Sequence, residues 1–216
     1  MKIAINKAHY PVTVLGHGKR IGIWVQGCSI GCKGCVSQDT WADDPEKEIA
    51  VDELVEWCRQ VGGQEIDGIT ISGGEPFEQA EALSCLLKNL RRWTDELPKD
   101  VDFLCYSGLP YRTIQKKHPE ILAYLDAIIP EPFVPKLPAK PLRGSSNQTV
   151  ISLTPLGQVR YGKVDSVECL PVKRFQAMVD QDCVWFVGIP DRGGMDHVAE
   201  YCKERGVSLG GVSWRA

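Results

Sequence analysis

The sequence contains no apolar run of the about 18 residues that a membrane-spanning helix requires. Its N-terminus also lacks the apolar stretch of a signal peptide. Basic residues are not in excess, because the formal charge is -3 and the pI is near 5.8. Nucleic acids and anionic membranes usually bind to basic surfaces. We therefore expect a cytoplasmic protein that binds neither nucleic acid nor membrane.

Disulfide pairing is not indicated by the cysteine content, because the number of cysteines is nine and therefore odd. Three cysteines fall within eight residues as C-x3-C-x2-C, at Cys28, Cys32 and Cys35. Clustered cysteines in a reduced compartment more often serve metals or catalysis than structure. The other six have no tight spacing, and we expect them to be small core residues without an auxiliary cluster: Cys58, Cys85, Cys105, Cys169, Cys183 and Cys202.

Three thiolates on one short loop suit either zinc or an iron-sulfur cluster. A zinc site completed by His9 or His17 stays open as one interpretation. Structural zinc sites more often use two C-x2-C pairs, however, whereas this loop offers three ligands and no fourth cysteine nearby. An open fourth position is a place where chemistry can occur.

Short β-forming runs alternate with helical patterns along the chain. The predicted strands cover residues 21–27, 66–71, 101–106, 127–129 and 184–189. The predicted helices cover residues 51–61, 78–93, 111–124 and 195–204. Repeated strand-helix units predict an α/β fold with a mostly parallel sheet, either doubly wound or a partial barrel. In both designs the functional loops gather at the carboxyl ends of the strands.

Three further segments are candidates for function. Ser72 to Pro76 (SGGEP) follows a predicted strand, although Ser72 and Glu75 also have the spacing of a helix capping box. The segment 106–108 (YSG) ends the next strand, and 143–148 (RGSSNQ) forms a polar loop with one arginine. The proline-rich run 130–141 is predicted to be an extended surface loop, either a lid or an inert connector.

The cysteine loop and its flanks resemble the N-terminal signature of radical S-adenosylmethionine activating enzymes. The resemblance rests on Gly16, Gly18, Arg20, the run WVQGC, the C-x3-C-x2-C spacing and DTW. Within that superfamily the chain most resembles the activases of anaerobic ribonucleotide reductase and, more distantly, of pyruvate formate-lyase. The resemblance implies a partial (β/α) barrel, with a core of about residues 1–155 and an elaboration from 156 to 216 in one domain.

The same resemblance implies one 4Fe-4S cluster on Cys28, Cys32 and Cys35, with S-adenosylmethionine chelated to the fourth iron. By matching motifs it assigns Gly73, Gly74 and Glu75 to the amino group of the methionine moiety. It also assigns Tyr106 and Ser107 to the nucleoside, and Arg143 to a carboxylate of S-adenosylmethionine or substrate. Gly34, before the third cysteine, replaces the aromatic residue of many superfamily members, as in the ribonucleotide reductase activases.

The function that this resemblance implies is reductive cleavage of S-adenosylmethionine to a 5'-deoxyadenosyl radical, which installs a glycyl radical on a partner enzyme. An electron donor such as flavodoxin or ferredoxin is then implied as a second partner. Two alternatives stay open. One is a radical enzyme that acts directly on a small molecule or peptide, and the other is a zinc or iron-sulfur protein without catalytic activity.

Overall fold

Apolar strands and amphipathic helices alternate through most of the chain. The computed structural model describes residues 1–166, 175–180, 183–190 and 193–214. The strands are β1 Lys2–Val12, β2 Arg20–Val25, β3 Glu48–Ala50, β4 Gly68–Gly73, β5 Asp102–Tyr106, β6 Ala127–Ile129, β7 Ile151–Ser152, β8 Phe175–Asp180 and β9 Cys183–Gly188. The α-helices are α1 Val51–Gly62, α2 Ala80–Thr94, α3 Tyr111–Lys117, α4 Pro119–Leu122, α5 Pro155–Tyr161 and α6 Gly194–Glu204.

Seven strands form one sheet in the order β3-β1-β2-β4-β5-β6-β7. The neighbours β2, β4, β5 and β6 run parallel, because helices between them return the chain to the same edge. The predicted mostly parallel α/β sheet is therefore confirmed in this central part. Strands β1 and β3 on one side, and β7 on the other, add antiparallel pairs that the sequence patterns did not predict.

All four helices α1 to α4 pack on the same face of the sheet. Successive side chains of a strand point to opposite faces, and Ile23 of β2 joins the large core cluster while Trp24 joins a separate one. Each of the helices α1 to α4 also contributes buried side chains to the large cluster. Examples, in chain order, are Leu54, Leu86, Ile114 and Ile121. The opposite face of the sheet is covered instead by loops, α5 and the C-terminal region.

A buried polar network lies on that opposite face, at the amino ends of the parallel strands. Arg20 donates to both carboxylate oxygens of Asp102, at 2.7 and 2.9 Å, and to Thr70 Oγ1 at 2.6 Å. The hydroxyl of Tyr161 donates to Asp102 at 2.6 Å, and Arg160 pairs with the same carboxylate. The network therefore ties α5 to the starts of β2 and β5.

Proline changes two of the predicted helices. The predicted helix 111–124 is divided into α3 and α4 at His118, because Pro119 lacks an amide hydrogen and restricts the residue before it. The predicted helix 78–93 begins instead as a 3-10 turn, Pro76–Gln79, before α2. Helix α1 agrees with its prediction and ends where Gly63 adopts a φ of 52°.

The C-terminal region does not extend the parallel sheet. Strands β8 and β9 pair as a separate antiparallel hairpin. The strand predicted at residues 184–189 is therefore present, but the prediction that it continues the parallel sheet is wrong. Val187 of this hairpin packs with Val12 and Trp24 on the helix-free face. Gln176 binds the edge of β1, donating to the carbonyl of Pro11 at 2.8 Å. Among the described helices, none has the length and apolar character needed to cross a bilayer.

Residues 207–214 return to the cysteine loop. The amide of Gln38 donates to the carbonyl of Ser213 at 3.2 Å, and the hydroxyl of Ser213 donates to the carbonyl of Val36 at 3.1 Å. The ring of Trp214 lies edge-on to Phe186 of β9, with centroids 6.0 Å apart. The C-terminal segment therefore contacts the loop directly after its third cysteine.

Candidate metal centre and ligand cleft

The loops after β2, β4 and β5 meet at one edge of the sheet, because these strands run parallel. An open cleft between them contains about 540 Å³ of empty space, a volume that includes open solvent at its mouth. The cleft is lined by Cys28, Ile30, Cys32, Cys35, Trp41, Ser72, Gly73, Gly74, Glu75, Tyr106, Ser107, Gly108, Glu131, Phe133 and Gln148. Eight of the nine residues assigned from the sequence motifs therefore share one cleft.

The cysteine loop folds tightly on itself. Gly31 adopts a left-handed φ of 57°, which glycine tolerates without strain. The amide of Cys35 donates to the carbonyl of Cys32 at 3.1 Å. The amide of Cys28 donates to the carbonyl of Trp41 at 3.0 Å, which anchors the start of the loop. Backbone contacts therefore hold the loop that brings all three cysteines to the cleft wall.

Amide and indole hydrogens point at the thiols of this loop. Burial raises the pKa of Cys35, whereas hydrogen bonds from the amide of Ser37, at 3.4 Å, and from the Trp41 indole lower it. Burial likewise raises the pKa of Cys28, and amides within the loop lower it. Such donors stabilise the thiolate, the form that binds metal. Burial outweighs these donors, so the pKa values of Cys28 and Cys35 stay above their usual value, and it is the set of three thiols on one loop that fits an iron-sulfur centre.

The glycine turn after β4 clamps the cysteine loop. The amide of Gly74 donates to the carbonyl of Val25 at 2.9 Å, and the amide of Glu75 donates to that of Gly27 at 2.8 Å. A methyl group on Gly74 would lie 2.1 Å from the carbonyl oxygen of Gly27, so only glycine permits this approach. Gly73 has a φ of 101° and lies equally close to β2. The two glycines thus hold the turn against the base of the loop.

The carboxylate of Glu75 is almost completely buried, with 1% exposure. It accepts hydrogen bonds from the amide of Phe77 at 3.0 Å, the hydroxyl of Ser107 at 2.8 Å and the amide of Gly108 at 2.7 Å. Burial raises the pKa of Glu75, and these donors offset only part of that rise. Glu75 itself caps the 3-10 turn. It therefore joins the loops after β4 and β5.

Tyr106 and Arg143 use their polar groups within the protein. The hydroxyl of Tyr106 donates to the carbonyl of Leu142 at 3.0 Å, although its ring lines the cleft. Arg143 is 1% exposed and is not among the cleft residues. Its guanidinium donates to Asp165 at 3.0 Å and to the carbonyl of Pro141 at 3.0 Å. Arg143 is therefore paired with Asp165 and does not line the cleft, although Tyr106 bonds to the residue directly before it.

The proline-rich segment forms a fixed wall of the cleft. The side chain of Gln148 donates to the carbonyl of Glu131 at 3.0 Å, and that of Asn147 donates to the carbonyl of Pro132 at 2.8 Å. Glu131 has a φ of 83°, which is strained for a residue with a side chain. Glu131, Phe133 and Gln148 were not assigned to the site from the sequence. Gln148 could have been found from the sequence, because it belongs to the RGSSNQ segment. No sequence pattern indicates the strained backbone at Glu131.

The two histidines considered for zinc do not complete the cysteine loop. His17 lies beyond the opposite end of β2, where its carbonyl accepts from Arg20 at 3.1 Å. His9 pairs with Gly22 in the middle of the sheet. Within the described ranges, no three His, Cys, Asp or Glu side chains converge on a single metal ion, and this includes the thiols of Cys28, Cys32 and Cys35. The loop therefore offers three thiols without a histidine ligand, which suits a cluster better than a four-ligand zinc site.

The remaining cysteines lie away from this loop where they are described. Cys58 and Cys105 are buried in the large core cluster, and burial raises the pKa of Cys58 to about 12. Cys85 packs at the edge of the same cluster, and Cys202 is half-buried on α6. Cys169 and the side chain of Cys183 lie outside the described residues.

Fold and site together define an α/β protein with three cysteines in one cleft at the carboxyl edge of a parallel sheet. The sequence model of the family described as "4Fe-4S single cluster domain" matches residues 14–151, and the chain belongs to this family. It is therefore an iron-sulfur protein. The predicted family resemblance is confirmed, and the match ends before the C-terminal hairpin.

Similar proteins carry the names that the motifs predicted. The anaerobic ribonucleoside-triphosphate reductase-activating protein of Enterobacteria phage T4 is 31% identical over 65% of this chain and 88% of its own length. Its namesake in Haemophilus influenzae is 30% identical over 66% of this chain and 94% of its length. The pyruvate formate-lyase-activating enzyme of Staphylococcus epidermidis is 38% identical over 37% of this chain and 33% of its length.

One solved structure shows a partial likeness. The crystal structure of QueE from Escherichia coli aligns with a TM-score of 0.41 and 19% identity. The alignment covers 50% of this chain and 53% of that one.

Proposed function

We propose that this chain is a radical S-adenosylmethionine enzyme that activates a glycyl radical enzyme. The observation that carries the proposal is the single cleft shared by Cys28, Cys32 and Cys35 with the turn 73–75 and the strand end 106–108. The names of its relatives support the same activity, since they are activating proteins of an anaerobic reductase and of pyruvate formate-lyase.

The residues present fit the groups that this activity needs. Three thiols on one loop, with N–H donors directed at them, fit three irons of a 4Fe-4S cluster. A reduced cluster held by Cys28, Cys32 and Cys35 would supply the one electron needed to cleave S-adenosylmethionine into methionine and a 5'-deoxyadenosyl radical, which would take a hydrogen atom from the substrate. The turn 73–75 and Ser107 line the same cleft as the loop and would position the methionine and nucleoside parts.

The shape of the sheet supports a partial (β/α) barrel. Helices α1 to α4 pack on one face, whereas a doubly wound sheet has helices on both. The other face is then the inside of the partial barrel, and the buried network around Arg20 and Asp102 closes its amino-terminal end. The cleft opens at the carboxyl end, where a glycine-bearing loop of a partner enzyme would enter.

The proposed activity also requires a reductant and a reducing compartment. A low-potential electron donor of the flavodoxin or ferredoxin class would reduce the cluster. The described cysteines are free thiols, which supports a cytoplasmic setting.

The proposal is tested by anaerobic reconstitution. Protein reconstituted with iron and sulfide, reduced with dithionite and given S-adenosylmethionine is expected to hold about four irons per chain and to form 5'-deoxyadenosine. Replacing Cys28, Cys32 and Cys35 together with Ala should abolish both results. Cys58→Ala is the matched control and should keep both, since Cys58 lies in the core.

Two results would contradict this assignment. Iron and brown colour retained by the triple variant would show that the cluster lies elsewhere. Tightly bound zinc without deoxyadenosine in the wild-type protein would make the chain a zinc protein without this catalytic activity.

A second candidate function is direct action on a small molecule or peptide. It is favoured by the hairpin β8–β9, which covers part of the helix-free face beyond the family match. The glycyl radical signal in electron paramagnetic resonance separates the two candidates. Activation predicts this signal when the loaded protein is mixed with a glycyl radical enzyme encoded beside it. Deoxyadenosine formation without the signal favours direct action.

A further inference from the structure

Phe133 presents an aromatic ring to the cleft next to the cysteine loop. A methyl group on Gly34, between the second and third cysteines, would lie 3.6 Å from Phe133 Cε1. A methyl group on Gly144, on the other side, would lie 2.9 Å from Phe133 Cδ2. The ring therefore occupies space that two glycines leave open, and a side chain at residue 144 would displace it.

The backbone around Phe133 is fixed in advance. The amide of Val134 donates to Ser145 Oγ at 3.1 Å, and the carbonyl of Pro132 accepts from Asn147 at 2.8 Å. Proline at 130, 132 and 135 restricts the φ angles on both sides. A ring on such a segment is held in place before a ligand arrives, which reduces the entropic cost of binding.

Core packing does not account for this ring. Phe133 is only half-buried, and it belongs to none of the three hydrophobic clusters among the described residues. A half-exposed aromatic ring on a rigid cleft wall is suited to a flat π-system such as a nucleobase, which stacks on aromatic side chains. The cleft has two other aromatic residues, Trp41 and Tyr106, but the Trp41 indole donates to Cys35 and the Tyr106 hydroxyl donates to the carbonyl of Leu142.

We propose that Phe133 is the stacking platform for the adenine of S-adenosylmethionine. This inference rests on the proposed function and adds a positioning residue to it. Phe133 lines the same cleft as the cysteine loop and lies next to residue 34 of that loop, so the base of a ligand held against the loop would lie within reach of the ring. The segment 130–141 then acts as a fixed half of the nucleoside site and is neither a lid nor an inert connector.

The test measures binding of S-adenosylhomocysteine, which carries the same adenine but cannot be cleaved, to anaerobically reconstituted protein by calorimetry. Phe133→Leu keeps an apolar side chain but removes the ring, and it is expected to weaken binding about tenfold. Phe133→Trp should retain the affinity. Methionine, which has no base, should bind the wild-type protein and Phe133→Leu equally well. Iron content should stay unchanged in both variants.

Gly144→Ala provides an independent test, because it displaces the ring without altering it. It should weaken S-adenosylhomocysteine binding, and adding it to Phe133→Leu should cause little further loss. Unchanged affinity in Phe133→Leu, or equal weakening of methionine binding, would overturn the stacking role. A cluster-loaded wild-type protein that binds no S-adenosylhomocysteine would overturn the proposed function as well.

Discussion

Gly74 allows the turn after β4 to approach the cysteine loop closely, because it has no side chain. Its Cα lies against the carbonyl of Gly27, the residue directly before the first cysteine, and its amide donates to Val25 at 2.9 Å. The turn thus contacts the cysteine loop by backbone alone. Any change that separates these two backbones also moves Cys28.

We therefore predict that Gly74→Ala destabilises the protein and loosens its cluster. The added methyl group would lie 2.1 Å from a backbone oxygen, and such overpacking typically costs about 1–3 kcal/mol. Urea unfolding and the rate of iron loss to a chelator measure the two effects. Gly210→Ala is the control, because nothing lies within 4 Å of the added group. Equal stability of the two variants would show that the turn is not a clamp.

The residues that the sequence motifs assign mostly share one cleft, but the motifs did not predict their contacts. The cysteine spacing is local, so three nearby thiols could be predicted without knowledge of the fold. Phe133 reaches Gly34 across about 100 positions of sequence, and only the fold shows that contact. The pairing of Arg143 with Asp165 is likewise tertiary, and an isolated arginine in a polar loop carries no sign of it.

At the scale of secondary-structure elements, the parallel strands form the cleft at their carboxyl ends and a buried ion pair at their amino ends. The carboxyl ends of β2, β4 and β5 carry the cleft. The amino ends of β2 and β5 are joined by Arg20 and Asp102, whose side chains are both 0% exposed. Burial raises the pKa of Asp102, but Arg20, Tyr161 and Arg160 outweigh it, so the pKa of Asp102 lies below its usual 3.8.

Asp102→Asn is predicted to lower the free energy of unfolding at pH 7 by about 3–5 kcal/mol, because Arg20 then stays buried without a counter-charge. A carboxylate with a lowered pKa stabilises the fold above the unfolded pKa and loses this effect as the pH falls through the folded pKa. The difference between wild type and variant should therefore shrink as the pH falls below about 4.

Guanidinium unfolding across this pH range measures the effect. Glu48→Gln, which removes the exposed ion pair of Lys2 and Glu48, is the control and should change stability by less than about 1 kcal/mol. A difference between wild type and Asp102→Asn that does not depend on pH would contradict the role given to the carboxylate.

Local patterns predicted the central strands β2, β4, β5 and β6 well because these strands are short and apolar, and β4 and β5 are also followed by helices. They missed β1, whose middle residues are only partly buried, and β7, which has two residues. Neither shows a continuous apolar pattern. The C-terminal strand was recognised as a strand, but its antiparallel partner β8 determines that it lies outside the sheet.

At the scale of the whole molecule, the C-terminal region supports the cysteine loop from outside. Ser213 exchanges hydrogen bonds with Val36 and Gln38, and Trp214 contacts Phe186 of the hairpin. These contacts connect the hairpin, which lies beyond the family match, to the segment that follows Cys35.

Truncation after Gly206 is predicted to shorten the half-life of bound iron severalfold, because the loop opens more often without its outer hydrogen bonds. Iron release to a chelator, followed by absorbance under anaerobic conditions, measures it. The core should still unfold cooperatively. Truncation after Trp214 keeps the contacts and serves as the control. Equal half-lives in the two truncations would show that the C-terminal segment does not stabilise the centre.

The hydrogen bond between Ser213 and Val36 also has a consequence for biosynthesis. The two residues are 177 positions apart, and a ribosome adds about 5–20 residues per second. The three thiols therefore emerge on the order of 10 to 30 seconds before Ser213 is made. During that interval the nascent loop has its own turns but not its outer support. Iron that reaches the chain before Ser213 is made meets a cysteine loop without its hydrogen bonds to Ser213. The rate of translation therefore sets the earliest time at which these hydrogen bonds can stabilise the loop.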